Sequence, residues 1–136
     1  MKNAAFSIIN YQFDKVTLDA TNLKSDDLKL SFDTSGVFNN ETSTYELVFL
    51  TKVFNDDDID NAFLSIQCKG IFKFEEVASF EEIPDFFYRN SIAILFPYVR
   101  AYVSLVTTQA NVKGIILPTL NLSHLEEDLR KNTTQK

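Results

Sequence analysis

The sequence contains few of the residues that catalysis and metal binding most often use. Its 136 residues include one cysteine, one histidine, three glycines and no tryptophan. A lone cysteine, Cys68, excludes an internal disulfide and a cysteine-based zinc site, and no nearby histidine is available to activate it as a nucleophile. The scattered glycines form no phosphate-binding loop. We therefore expect no catalytic residue, no metal and no cofactor, and we interpret His124 as a surface residue.

Basic charge is also scarce, since 13 Lys and Arg face 19 Asp and Glu and the net charge is -6. Binding to nucleic acid needs a basic face, so nucleic acid is not expected as a partner. Met1-Lys2 is followed by no apolar stretch of a signal peptide, and the longest apolar run, Ile92 to Phe96, is too short to cross a bilayer. We expect a cytoplasmic protein without membrane insertion.

Alternating apolar residues in the first half of the chain predict β-strands. The length and the 45% hydrophobic content suit one domain over residues 1–136. The alternation over 5–19 changes phase at Asp14-Lys15, which indicates a β-bulge, because one extra residue reverses the faces. Further strands are predicted from Leu28 towards Gly36, over 44–54 and over 62–77, with a loop at 37–43 and an acidic hairpin turn at 55–58.

The period changes to about 3.6 after Ser79, which predicts helices. Asn90-Ser91 is a suitable start for a long helix, and Pro97 predicts a kink or a break in it. Ser123 and Glu126 have the spacing of a capping box for a short last helix, and 131–136 is predicted to be a disordered tail. The expected fold is α+β: a four-stranded antiparallel sheet, a long kinked or broken helix and a short C-terminal helix.

The connection between the predicted helices is unusually apolar. Ile115, Ile116, Leu117, Leu120 and Leu122 follow Gly114 and surround Pro118. A connection normally runs over the surface, where so much aliphatic area usually marks a binding site. Spacing alone leaves two interpretations open: a lid that is covered by the sheet or a second subunit, and a wall that binds an extended apolar segment.

The order of several motifs resembles the SecB family of protein-export chaperones. The most specific match is Ile94-Leu-Phe-Pro-Tyr98 with Arg100. Others are Phe6-x-Ile8 through Asp19-Ala20, Leu28-Lys-Leu30-Ser-Phe32, Tyr45-Glu-Leu-Val48, Ala62-Phe-Leu64, Gly70-Ile-Phe72, Gly114 and Pro118-x-Leu-Asn-Leu122. The resemblance implies a homotetramer, assembled as a dimer of dimers. It also implies ATP-independent holding of unfolded preproteins, or other extended polypeptides, and their delivery to the SecA motor.

The resemblance also implies particular site residues. The client groove would consist of Leu28, Leu30, Phe32, Phe63, Ile115, Leu117, Leu120 and Leu122. A docking surface for SecA would include Asp19 and Leu64, although Lys15 and Ile66 stand where the family usually has acidic residues. We expect the tail Asn132–Lys136 to lack the extended C-terminal region that, by the resemblance, helps engage SecA.

Three other functions remain as alternatives. Some SecB-like proteins serve one client, such as the antitoxin of a toxin–antitoxin pair. A non-chaperone interaction module would keep its apolar loop covered by one permanent partner. An enzyme that wraps a sheet around a helix would need an acid or a histidine in that helix, but Arg100 is the only charged residue between Ser91 and Val112.

Overall fold

A five-stranded sheet and two α-helices form the part of the chain that the structure describes. This computed structural model describes residues 5–77, 79–118 and 122–136, with the side chain of Leu122 left out. The elements, in chain order, are β1 (Phe6–Leu18), β2 (Leu28–Asn39), β3 (Thr44–Asn55), β4 (Leu64–Phe74), α1 (Asp85–Gln109), α2 (Leu122–Lys131) and β5 (Thr133–Gln135).

The strand order in the sheet is β1-β4-β3-β2-β5. The first four strands pair antiparallel, and β5 pairs parallel to β2, with Gly36 opposite Thr133. The predicted α+β fold is therefore confirmed, but the sheet has five strands rather than four. The fifth strand lies in the segment 131–136, for which the sequence predicts a disordered tail. Short polar residues form a strand there because the edge of β2 supplies hydrogen-bond partners.

The bulge predicted in β1 is present. The register between β1 and β4 shifts between Phe13 and Lys15, and it shifts a second time between Ile8 and Asn10. The prediction of a loop at 37–43 was wrong in its first part, because β2 continues to Asn39. Phe38 explains the extension, since its side chain is fully buried and holds that end of the strand on the core.

The core lies between one face of the sheet and α1. Alternate residues of β3 and β4 are buried, as expected for strands with one covered face. The ring of Phe87 on α1 occupies the centre of an aromatic cluster. Its neighbours, at centroid distances of 4.7 to 5.5 Å, are Phe6, Tyr45, Phe72 and Phe74. Edge-to-face and tilted contacts of this kind add to the burial of apolar area.

Helix α1 begins earlier than predicted and is not broken. It starts at Asp85, with Pro84 in extended conformation at the N-cap, and it contains Pro97. Pro84 sets this start because a proline has no amide hydrogen to donate and favours an extended conformation of the chain just before the helix. Within the described residues, α1 is the one helix long and apolar enough to cross a membrane, a property that core helices of soluble proteins share.

Polar contacts join the two helices and β5. Arg130 of α2 donates a hydrogen bond to Asp85 at 2.8 Å, and its guanidinium lies 4.7 Å from the centroid of the Tyr88 ring. The Tyr45 hydroxyl lies 2.6 Å from the hydroxyl oxygen of Thr133, which donates to the carbonyl of Leu129. These bonds attach β5 to both α2 and β3.

Candidate functional site

A pocket of about 230 Å3 opens between the start of β2 and the chain that follows α1. We call it the groove pocket. Its lining residues are Leu23, Asp26, Leu28, Leu30, Phe63, Lys113, Gly114, Ile115 and Ile116. Most of these side chains are aliphatic or aromatic, as is usual for sites that bind apolar ligands.

Two walls and a base form the groove pocket. One wall is the segment before β2 together with its first residues, and the other is 113–116. Phe63 is fully buried and contributes the base. The wall at 113–116 folds back along the end of α1, because Ile115 N–H donates to the Thr107 hydroxyl at 3.1 Å and the Ser104 hydroxyl donates to the Ile115 carbonyl at 3.0 Å.

The structure brings four of the predicted groove residues together at this pocket: Leu28, Leu30, Phe63 and Ile115. Phe32 does not line it. Its half-buried ring packs instead against Phe49 and Phe96, at centroid distances of 5.9 and 6.2 Å.

The remaining predicted groove residues lie elsewhere or outside the described structure. Leu117 is fully buried in the hydrophobic core, so its side chain is not accessible to a client. Leu120 lies outside the described residues, and so does the side chain of Leu122.

Several lining residues were not in the predicted set. Ile116 is the clearest case, because its side chain is 75% exposed at the mouth of the pocket. It belongs to the apolar connection that the sequence singles out, so the composition of that loop was a usable signal. Leu23 and Asp26 precede β2 in a short irregular segment, and no periodicity distinguished them.

The predicted docking residues for SecA do not lie on one surface. Leu64 and Ile66 are fully buried, because alternate residues of β4 point towards α1. Leu64 therefore cannot contact a partner in this conformation, which corrects its assignment to an exposed surface. Asp19 is exposed, and its carboxylate accepts a hydrogen bond from the Thr21 amide at 3.0 Å.

The outer face of the sheet carries mixed charge. The ammonium of Lys69 lies 3.5 Å from the Asp14 carboxylate and 3.7 Å from that of Glu46. Burial would raise the pKa of Asp14, but hydrogen bonds from Gln67 and the charge of Lys69 hold that pKa below its usual value. This face therefore carries both signs of charge, whereas the resemblance implies an acidic docking surface.

Acidic side chains lie beside the groove pocket. Asp26 is part of its lining, and Lys29 donates to Asp57 at 2.7 Å. The hydrogen bond and charge of Asp57, with the charges of Asp27 and Asp56, raise the pKa of Lys29. Lys29 is thus surrounded by carboxylates, whereas the lining of the pocket itself contains one acidic residue, Asp26, and one basic residue, Lys113.

A second apolar surface lies on β1 and α1. Tyr11 stacks on Tyr98 at 4.3 Å between ring centroids, and Phe13 stacks on Tyr102 at 4.0 Å. Tyr98 is 40% exposed and Leu105 further along α1 is 54% exposed. Among the described residues, β1 pairs with β4 alone, so its other edge has free backbone groups.

An α+β fold with an apolar pocket and an open edge strand suits a protein that binds other polypeptides. The family described as preprotein translocase subunit SecB matches residues 11–132. The chain therefore belongs to the SecB family, which is a family of chaperones associated with protein export.

Solved structures share this fold. A SecB-like chaperone of Mycobacterium tuberculosis, in complex with a ChAD peptide from the HigA1 antitoxin, superposes with a TM-score of 0.68 at 16% identity, covering 85% of this chain and 88% of that one. A Streptococcus agalactiae protein of unknown function gives a TM-score of 0.50 at 13% identity, covering 87% of this chain and 100% of that one.

One curated relative is closer in sequence. An uncharacterized protein of Methanocaldococcus jannaschii is 38% identical in an alignment of 77 positions that covers 54% of this chain and 49% of that protein. The chain thus spans about half the length of the curated relative that it matches.

Proposed function

We propose that this protein is an ATP-independent holding chaperone of the cytoplasm, which binds unfolded or extended polypeptides in protein export. The observation that carries the proposal is the groove pocket, where Leu28, Leu30, Phe63 and Ile115 meet at the place that the SecB resemblance implies. Neither catalysis nor a cofactor is part of this function.

Apolar client side chains would bind by transferring their surface from water to the pocket, which is worth about 25 cal/mol per Å2. Ile116 adds an exposed aliphatic contact at the mouth. The free energy of holding follows from mass action. A binder of the unfolded state alone lowers client stability by about 2.7 kcal/mol at a hundredfold excess over Kd. Asp26 and Lys113 in the lining offer one charge of each sign to the polar groups of a client.

A variant pair tests the pocket. Leu30→Asp places a charge in the pocket lining, whereas Leu50→Asp changes a half-buried leucine of β3 on the opposite face of the sheet. Light scattering of an aggregating unfolded protein, without nucleotide, should show suppression by the wild type and by Leu50→Asp and weaker suppression by Leu30→Asp. Equal suppression by both folded variants would remove the pocket as the client site.

A second candidate function is holding of one dedicated client such as an antitoxin. It is favoured by the fold shared with the M. tuberculosis chaperone, whose structure contains an antitoxin peptide. Proteins that co-purify from the native cell distinguish the two: many unfolded precursors support the export role, and one small protein in constant proportion supports the dedicated role. Constant one-to-one occupancy without capture of added unfolded protein would instead indicate a non-chaperone interaction module.

We further propose that the protein assembles as a homotetramer, a dimer of dimers. The support is the open edge of β1 beside exposed Tyr98 and Leu105, since a second copy would pair the edge and cover these side chains. The molar mass measured by light scattering should be four times that of one chain, and Leu105→Asp should lower this mass. A monomeric wild type at micromolar concentration would overturn this assembly.

Delivery to the SecA motor is the most specific part of the export proposal. Asp19 is the predicted docking residue that is exposed, so Asp19→Lys should weaken binding to purified SecA while aggregation suppression stays unchanged. Absence of any binding between SecA and the wild type would restrict the function to holding.

A further inference from the structure

The side chain of Asn55 joins two separate parts of the chain. Asn55 is the last residue of β3 and is 4% exposed. Its amide group donates to the carbonyl of Ser25 at 3.1 Å, to the hydroxyl of Ser25 at 3.0 Å and to the carbonyl of Asp27 at 2.8 Å. Its carbonyl oxygen accepts from the Lys24 amide at 2.7 Å. Both polar atoms of the Asn55 side chain therefore form hydrogen bonds to segment 24–27.

This segment forms one wall of the groove pocket. Leu23 and Leu28 flank it, Asp26 lies within it, and all three residues line the pocket. Ser25 is also held by a hydrogen bond within the segment, because its hydroxyl accepts from the Asp27 amide at 3.2 Å. The Asn55 side chain therefore holds segment 24–27, while strand pairing with β3 holds the start of β2 at Leu28.

Asparagine suits this position better than residues of similar size. Its carbonyl accepts from one backbone amide while its amino group donates to two backbone carbonyls. An aspartate would keep the acceptor, but it would place a second acceptor oxygen against the carbonyls of Ser25 and Asp27. Alanine would remove all the hydrogen bonds that the Asn55 side chain makes to the partly buried backbone groups of Lys24, Ser25 and Asp27.

We propose that Asn55 is a positioning residue for the groove pocket: it holds segment 24–27 in place and thereby sets the width at which Leu23, Asp26 and Leu28 meet a bound polypeptide. The inference rests on the proposed function of the pocket as a client site. Replacement of Asn55 should therefore change the affinity for a client more than it changes the free energy of unfolding.

Asn55→Asp is the decisive variant, with Asn132→Asp as its matched control. Asn132 is another asparagine whose side chain holds a distant backbone group, donating to the Thr34 carbonyl at 3.1 Å, and neither residue lines the groove pocket. Urea unfolding gives the stability of each variant. Titration with fluorescently labelled, reduced and carboxymethylated α-lactalbumin, at a temperature where every variant is folded, gives its Kd.

We expect Asn55→Asp to weaken probe binding about tenfold and Asn132→Asp to change it by less than about twofold. The two changes in Kd are compared with the changes in unfolding free energy of the same variants. Unchanged probe affinity in Asn55→Asp, while Leu30→Asp binds weakly, would overturn the positioning role and leave the pocket intact. Unchanged affinity in Leu30→Asp would refute the pocket itself, so the two failures are distinguishable.

Hydrogen exchange on the unmodified protein provides a second measurement that needs no variant. The Lys24 amide should exchange slowly in the free protein because Asn55 accepts its hydrogen bond. Exchange at the rate of an unfolded chain would show that segment 24–27 is not held, and the inference would fail even if Asn55→Asp could not be produced in folded form.

Discussion

Gly36→Ala should strongly destabilise the fold, because the ring of Tyr45 occupies the space beside this glycine. A Cβ atom at Gly36 would lie 2.0 Å from the Tyr45 hydroxyl oxygen and 2.3 Å from the ring carbon that carries it. The ring is fully buried and packs on Phe87 at 4.7 Å, so it has little room to move.

The size of the effect follows from two losses. Overpacking of a close-packed core costs about 1–3 kcal/mol. Displacement of Tyr45 also breaks its 2.6 Å hydrogen bond to Thr133, which contributes about 1 kcal/mol. We expect the free energy of unfolding to fall by about 2–4 kcal/mol, a large share of the ~5–15 kcal/mol of a typical domain. Urea unfolding followed by circular dichroism measures it.

Two further variants make this prediction specific. Gly114→Ala is the control, since a Cβ there meets only the Thr108 hydroxyl at 3.3 Å, and its unfolding free energy should change by less than ~1 kcal/mol. Tyr45→Leu removes the ring, so Gly36→Ala should cost much less in that background. A Gly36→Ala protein within 0.5 kcal/mol of the wild type, roughly the spread of neutral surface changes, would refute the argument.

Three other perturbations have defined outcomes. Thr51→Val should raise the unfolding free energy by about 1 kcal/mol, because the buried Thr51 hydroxyl finds no hydrogen-bond partner in the described structure; a lower urea midpoint would contradict this. Burial raises the pKa of Cys68 to about 11 from 9.0, so the unfolded thiol ionises first. Stability should be full below pH 9 and fall between pH 9 and 11, by up to ~1.4 kcal/mol per pH unit, and Cys68→Ala should lose that part of the slope. Arg130→Leu should lower stability by only ~0.5–1 kcal/mol, since the Arg130 side chain is 42% exposed and its partner Asp85 is 92% exposed; a loss above ~2 kcal/mol in thermal melts would show that its contacts with Asp85 and Tyr88 are stronger.

The elements that could be predicted are those in which the pattern of apolar residues is set within the element itself. The phase change at Asp14 indicated the bulge, because alternation is set by the strand itself. The start of α1 was misplaced because Asn90-Ser91 looked like a cap, whereas Pro84 ends the preceding extended segment. β5 could not be predicted, since Thr133 and its neighbours form a strand only beside the edge of β2.

Composition alone pointed to the apolar loop at 115–116, whereas Leu28, Leu30 and Phe63 were assigned to a groove through the resemblance to the SecB family. Asn55 was missed because an asparagine at the end of a strand has the signature of a turn, and its buried contacts with 24–27 arise from tertiary structure. Leu117 shows the opposite error, because hydrophobicity alone does not distinguish a core residue from a binding residue.

The parallel pairing of β5 with β2 has a consequence during synthesis of this protein on the ribosome. Gly36 pairs with Thr133, so this part of the edge of β2 lacks its partner strand until residues 133–135 have emerged. Earlier in synthesis the nascent chain carries an open strand edge, and neighbouring ribosomes on one message hold copies of it close together. The proposed function of this protein is to prevent aggregation of unfolded chains. During its own translation, it passes through a state with an unpaired strand edge that is itself prone to aggregation.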